Sequence, residues 1–167
     1  MKRNSAKHMA LGGVMAALAV VIMCLGGLVP LATFVCPMMC VILLMVVLKL
    51  TGVRVAWAWY VAVSILSVLM GPDKEAAAVF VFLGYYPIVK PWLDKRKLAF
   101  LCKLALFNGA IFAMYSVLIY VLGLADVAAE FEDVGTVMTI VTLVLGNVTL
   151  FMMDALLGML EKRKFHG

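Results

Sequence analysis

Long apolar runs, broken at intervals by short groups of charge, proline and glycine, dominate this chain from end to end. Segmenting at those breaks gives six runs: 9–29, 32–50, 53–70, 76–92, 99–122 and 136–160. Each is close to the ~20 residues a helix needs to cross a hydrocarbon core of roughly 30 Å. In lipid the backbone must satisfy its own hydrogen bonds, so the runs are expected to be helices. The predicted architecture is an all-α integral membrane bundle of six transmembrane helices, forming a single domain over 1–167. Within the second run, Pro37 suits a first helical turn and marks a possible later start for that helix. Within the fourth, Pro87 of Gly84-Tyr85-Tyr86-Pro87 removes a backbone donor and crowds the preceding turn, which predicts a kink near Leu83 and Gly84.

Composition supports lipid as the solvent. Hydrophobic residues make up 66% of the chain and charged residues 14%, against about 25% charged in soluble domains, and the mean hydropathy is +1.15. The net charge of +5 does not point to nucleic acid, because the cations sit at the ends and in short connections rather than on one extended face. Taken alternately, the connections fall into two classes. One holds Lys2, Arg3 and Lys7, then Lys49 and Arg54, then Lys90, Lys95, Arg96, Lys97 and Lys103, and finally Lys162, Arg163 and Lys164. The other holds the uncharged turn around Pro30, the cluster Asp73-Lys74-Glu75, and the acidic loop of Asp126, Glu130, Glu132 and Asp133. Retention of Lys and Arg on the cytoplasmic side then puts both termini inside. The first run is longer than the apolar core of a secretory signal and lacks a small-residue cleavage site, so it is expected to be a mature helix.

Few residues are candidates for chemistry. There is no Walker motif, so the chain is not expected to hydrolyse ATP. The two histidines, His8 and His166, lie near the two ends, which leaves Ser64, Ser67 and Ser116 without a base and offers no histidine pair for a metal. No catalytic residue, cofactor or metal site is therefore expected. Cys36-Pro37-Met38-Met39-Cys40 offers soft ligands of the kind that select copper(I), but Cys36 and Cys40 at one-turn spacing also fit as small apolar packing residues. Cys24 and Cys102 likewise fall in or beside apolar runs, and no disulfide framework is implied.

Ionisable and amide groups at membrane depth each need a partner or a task. Asp73 and Glu75 stand at the outer start of the fourth helix, as either helix-start chemistry or groups reaching toward a ligand. Tyr85 and Tyr86 belong either to a pocket shaped by the kink or to an interfacial aromatic belt. Asn108 and Asn147 both fall near mid-membrane at 1.5 Å per residue, where they are expected to meet as interhelical glue or to line a cavity. Asp154, nearer the inner end, is expected to pair with a basic loop residue rather than to touch a substrate. On the first helix Ala6, Ala10, Gly13 and Ala17 form a stripe of small residues, with Gly12 and Ala16 a second spaced pair. Such stripes let another helix approach closely, either within the same chain or from a separate subunit.

These features resemble the substrate-binding S component of energy-coupling-factor transporters: six helices, a basic start leading into Ala6-x-x-x-Ala10, an apolar first outer loop with Pro30 and Pro37, and fewer than 200 residues. The chain also looks like a group of small bacterial six-helix membrane proteins, through Pro72-Asp73-Lys74-Glu75-Ala76, Gly84-Tyr85-Tyr86-Pro87-Ile88-Val89-Lys90 and Leu145-Gly146-Asn147-Val148. The resemblance implies a multi-pass protein of a bacterial cytoplasmic membrane that binds a vitamin or other micronutrient from outside. It further implies docking, through the first helix, on a transmembrane coupling subunit that carries two cytoplasmic ATPases. Carried over by position, Ala6 and Ala10 face that subunit, and Glu75, Tyr85 and Asn147 become pocket candidates. Two rival functions remain at this stage: a structural or assembly membrane protein without a ligand, and a small oligomeric channel or exporter, for which no continuous polar stripe is visible.

Overall fold

A computed structural model describes residues 2–26, 32–121, 123, 140, 143–144 and 146–160. The Pro30 turn, the acidic loop of Asp126, Glu130, Glu132 and Asp133, the expected start of the sixth helix at Thr136, and Lys162, Arg163 and Lys164 lie outside the described residues. The described chain is all-helical. Its elements are α1 (Lys2–Gly26), α2 (Ala32–Thr51), α3 (Val53–Met70), α4 (Lys74–Leu83), α5 (Tyr86–Leu93) and α6 (Ala99–Tyr120), followed by a shorter apolar helix, α7 (Gly146–Leu160). Among the described residues, five spans are long and apolar enough to cross a membrane: Met9–Gly26, Thr33–Thr51, Val53–Met70, Lys74–Leu93 (α4 and α5 together) and Ala99–Tyr120. The chain is thus a multi-pass helical protein whose large outward side chains, such as Val14 and Leu69, suit lipid.

Two compact units divide the chain, Met1–Lys97 and Leu98–Gly167. In the first, α1, α2 and α3 pack on one another, and α4 and α5 lie chiefly against α2 and α3. The interior is built from Ala19 and Met23 of α1, Cys40, Leu44 and Val47 of α2, Ala56, Trp59 and Val63 of α3, and Ala76, Phe80, Tyr86 and Leu93 of α4 and α5. Lys74–Leu93 is the most enclosed span of this unit, with 56% of its apolar window buried against 22% for Met9–Gly26. Chemistry confined to the protein interior should therefore be sought along α4 and α5.

Local chemistry explains the breaks. Between α2 and α3 stands one residue, Gly52, at φ 89° and ψ 172°, a region essentially reserved for glycine. Its N–H donates to the Leu48 carbonyl at 3.0 Å and its carbonyl accepts from Ala56 N at 3.1 Å, so the chain reverses with its backbone groups satisfied. The helix containing Pro37 begins at Ala32, not at the proline. The proline withholds only the bond to Thr33, close enough to the start for the helix to accommodate it. The fourth run does break where Gly84 and Pro87 predict, with α4 ending at Leu83 and α5 beginning at Tyr86. At Gly84 an added Cβ would lie 3.0 Å from the Phe80 ring, so the break is closely packed.

In the second unit the helices α6 and α7 run antiparallel. Lys103 of α6 meets Asp154 of α7, and further along Asn108 meets Asn147, so residue numbers rise on one helix as they fall on the other. Phe100 stacks on Phe151, with ring centroids 5.0 Å apart.

Candidate functional site

Three polar clusters hold the residues singled out from sequence. The first stands at the start of α4. Asp73 is the N-cap: one carboxylate oxygen accepts from Ala76 N at 3.0 Å, satisfying a backbone donor that the helix leaves open, while the other accepts from the Thr33 hydroxyl at 2.7 Å. One side chain therefore both begins α4 and ties it to the first turn of α2. Glu75 is half-buried in the first turn of α4, where the helix dipole favours a carboxylate. Lys74 turns back, its Nζ donating to the carbonyls of Val68 at 2.8 Å and Gly71 at 3.0 Å, which satisfies open acceptors at the end of α3.

The second cluster surrounds the α4–α5 break. Tyr60, on α3, donates its phenolic O–H to the Val81 carbonyl in the last turn of α4. Its ring also packs edge-on against Tyr85 with centroids 6.2 Å apart, tilts on Phe80 at 5.8 Å, and meets Trp57 edge-on at 5.8 Å. Trp59 reaches Phe80 from the same helix at 6.4 Å. The two tyrosines of the motif separate: Tyr85 is half-buried among these rings, while Tyr86 is 1% exposed and belongs to the core. Neither Trp59 Nε1 nor Ser67 Oγ has a hydrogen-bond partner among the described residues, although both are buried. Unspent buried donors are expensive where no water reaches them, so α3 carries unused hydrogen-bonding capacity into the interior of this unit.

In the second unit, Asn108 and Asn147 form a reciprocal amide pair. Each Nδ2 donates to the other's Oδ1 at 3.2 Å, and each also donates to its own helix, to the Leu104 and Leu143 carbonyls at 2.8 Å. Both donor hydrogens of each amide are thereby used, the arrangement that best hides an amide from hydrocarbon. Lys103 Nζ lies 2.9 Å from Asp154 Oδ2, with the side chains 9% and 19% exposed. The cationic partner of Asp154 is thus a residue inside α6 and not the loop residue expected, because the long lysine stem reaches α7 from one turn into its helix.

The small-residue stripe is the clearest outward-facing feature. Ala6, Ala10, Gly13 and Ala17 are all exposed on α1, whereas Gly12, Ala19 and Met23 are buried. Gly12 packs so that an added Cβ would sit 3.8 Å from Val55 of α3. The helix therefore uses one face inside its unit and leaves the other uncovered. Cys36 and Cys40 are buried on α2, and the Cys40 thiol lies 3.5 Å from the Ala19 carbonyl of α1, which gives it a packing role between these helices.

Sequence reasoning passed over Thr33, Tyr60, Trp57 and Trp59. Thr33 and Tyr60 sit within apolar runs, and only the packing of α2 and α3 against α4 gives their hydroxyls a task. The one available signal was that Tyr60 is a polar-tipped aromatic inside a predicted span, which needs an acceptor wherever it is buried. Comparisons with protein-family models, with curated proteins and with solved structures find no match to this chain.

Proposed function

We propose that this chain is a membrane-embedded binding subunit for uptake of a vitamin-like or other small micronutrient, working with a separate ATP-driven coupling module and performing no catalysis itself. Its basic connections and both termini lie on the cytoplasmic side of a bacterial membrane, with six spans in all. The observation that carries the reading is the uncovered Ala6, Ala10, Gly13 and Ala17 face of α1, set against the packed Gly12, Ala19 and Met23 face. In lipid, association depends on close backbone approach, and the line of Ala6, Ala10, Gly13 and Ala17 offers a shallow groove between the exposed Met9 and Val14 side chains. Asp73, Glu75 and Tyr85 are the ligand candidates of the first unit, joined by Tyr60 and the unpartnered Trp59 indole. Asn108 and Asn147 are those of the second.

A second reading has its own support. Asp73, Asn108 and Asn147 are all bonded to neighbouring helices or caps, which is also what an assembly protein without cargo requires. Two measurements separate the readings. Mass spectrometry of small molecules retained by gently purified protein identifies a cargo if the first holds and finds none if the second does. Coexpression with a coupling subunit and its ATPases tests docking: Ala10→Trp abolishes copurification while leaving retained cargo unchanged. Copurification equal to that of the parent chain removes α1 as the docking face.

A further inference from the structure

We propose that the end of α5 and the connection after it form a seat for anionic phospholipid headgroups, a role separate from any cargo. The residues from Tyr86 to Lys97 carry Lys90, Lys95, Arg96 and Lys97 against one carboxylate, Asp94. Asp94 is held by Lys90 at 3.2 Å, and the Lys90 side chain is itself 7% exposed. The buried lysine thus offsets the one carboxylate of this stretch and leaves Lys95, Arg96 and Lys97 exposed; no described carboxylate pairs with any of the three. Three cations concentrate on one short turn.

The turn is shaped, not merely basic. Arg96 N donates to the Leu93 carbonyl at 3.0 Å, and Asp94 N donates to the Lys90 carbonyl at 2.9 Å. These bonds fold the connection back on α5 and bring the Arg96 guanidinium 4.2 Å above the Trp92 ring. Trp92 is 59% exposed while its neighbour Leu93 is buried, so the indole leaves the protein at the end of an apolar span. An amphipathic ring there sits at headgroup level. A guanidinium held flat on it is oriented to present its N–H fork to a phosphate.

Lys49 at the end of α2 and Arg54 at the start of α3 belong to the same end of this unit. The one-residue and three-residue connections around α3 are too short to travel along the bundle, so α2 ends, α3 begins and α5 ends together. The ligand chemistry is a phosphodiester monoanion at a hydrocarbon boundary. Of the possible sources we commit to the bilayer, because the exposed Trp92 beside the cations suits a lipid and has no use in binding a free anion.

The test uses the full chain in a neutral detergent, titrated separately with phosphatidylglycerol and phosphatidylcholine, with bound lipid counted by native mass spectrometry. Phosphatidylglycerol is expected to bind in preference, and 0.5 M salt to remove the preference, as for any contact led by exposed charge. The triple variant Lys95→Ser, Arg96→Ser, Lys97→Ser is expected to weaken phosphatidylglycerol binding by about 100-fold, from roughly fivefold per cation at an anionic surface. The matched variant Lys162→Ser, Arg163→Ser, Lys164→Ser, which removes equal charge away from the Trp92 turn, should weaken it clearly less, because those cations are not part of the seat. Trp92→Leu should reduce the preference while keeping the cations. Equal binding of the two lipids by the parent chain overturns the proposal, whether or not the variants fold. So does equal loss in the two triple variants, which would reduce the effect to net charge, and so does displacement of phosphatidylglycerol by equimolar glycerol phosphate, which would make the seat one for soluble phosphates.

Discussion

Replacing Lys103 by Met should cost more than replacing Asp154 by Leu, and making both changes together should cost less than the first alone. The pair meets at 2.9 Å with side chains 9% and 19% exposed. Lys103 lies about 6 Å along α6 from Ala99 and Asp154 about 9 Å back from Leu160, at 1.5 Å per residue, so neither is at mid-membrane. An uncompensated charge costs about 2.5–3.5 kcal/mol at a helix centre and less toward the ends. Deprived of the Lys103 ammonium, Asp154 has a short side chain that cannot reach the headgroups, which puts Lys103→Met at about 2 kcal/mol. Deprived of the Asp154 carboxylate, Lys103 can extend its stem and carry its ammonium toward the headgroups, which puts Asp154→Leu at about 1 kcal/mol. The double variant leaves no charge stranded and should lie within about 1 kcal/mol of the parent, a coupling of about 2 kcal/mol. Equilibrium unfolding of the four proteins in mixed micelles measures the cycle. Single-variant costs that simply add, or a larger loss for Asp154→Leu, would refute the reasoning.

Two further outcomes follow from the first unit. Tyr60→Phe keeps the ring contacts with Phe80 and Tyr85 but strips the Val81 carbonyl of the phenol's hydrogen bond; it should lower stability by about 1–3 kcal/mol in the same unfolding assay, and an unchanged midpoint would mean that another group satisfies the carbonyl. Asp73→Ala removes the cap bond to Ala76 and the bond from Thr33 and should cost about 0.5–2 kcal/mol, whereas Asp73→Asn, whose single side-chain oxygen still accepts from Ala76 N while its Nδ2 can only donate toward the Thr33 hydroxyl, should lose less than half of that.

The apolar runs carried the helical architecture, because spans in lipid have few alternatives to a helix. The break at Gly84 was equally legible, since Pro87 acts through local geometry that no partner is needed to reveal. The meeting of Asn108 with Asn147 followed from depth alone: two amides at one level in hydrocarbon have strong reason to find each other. Which way each helix faces was a different matter. In α2 and α3 almost every face is apolar, so no polar side marks the outer surface, and the roles of Thr33 and Tyr60 depend on rotations that only packing decides. For the same reason the stripe at Ala6, Ala10, Gly13 and Ala17 was as consistent with an internal contact as with an outer one. It was the burial of Gly12, one residue away, that separated them. The start of α2 at Ala32 was legible from the apolar run, and only the alternative start at Pro37 fell away, because a proline is tolerated a turn later than the first position.

Labelling single cysteines, in a chain whose own four are replaced, tests most directly the claim that this protein crosses the bilayer repeatedly with its basic connections on one side. With cysteine placed at Lys7, Val53, Pro72, Lys95 and His166 in turn, a membrane-impermeant maleimide should label the exposed Pro72 position in intact cells and the other four only after the membrane is opened. Labelling of His166 together with Pro72 would give an odd number of spans, and equal labelling of all five in intact cells would contradict a membrane-crossing chain altogether.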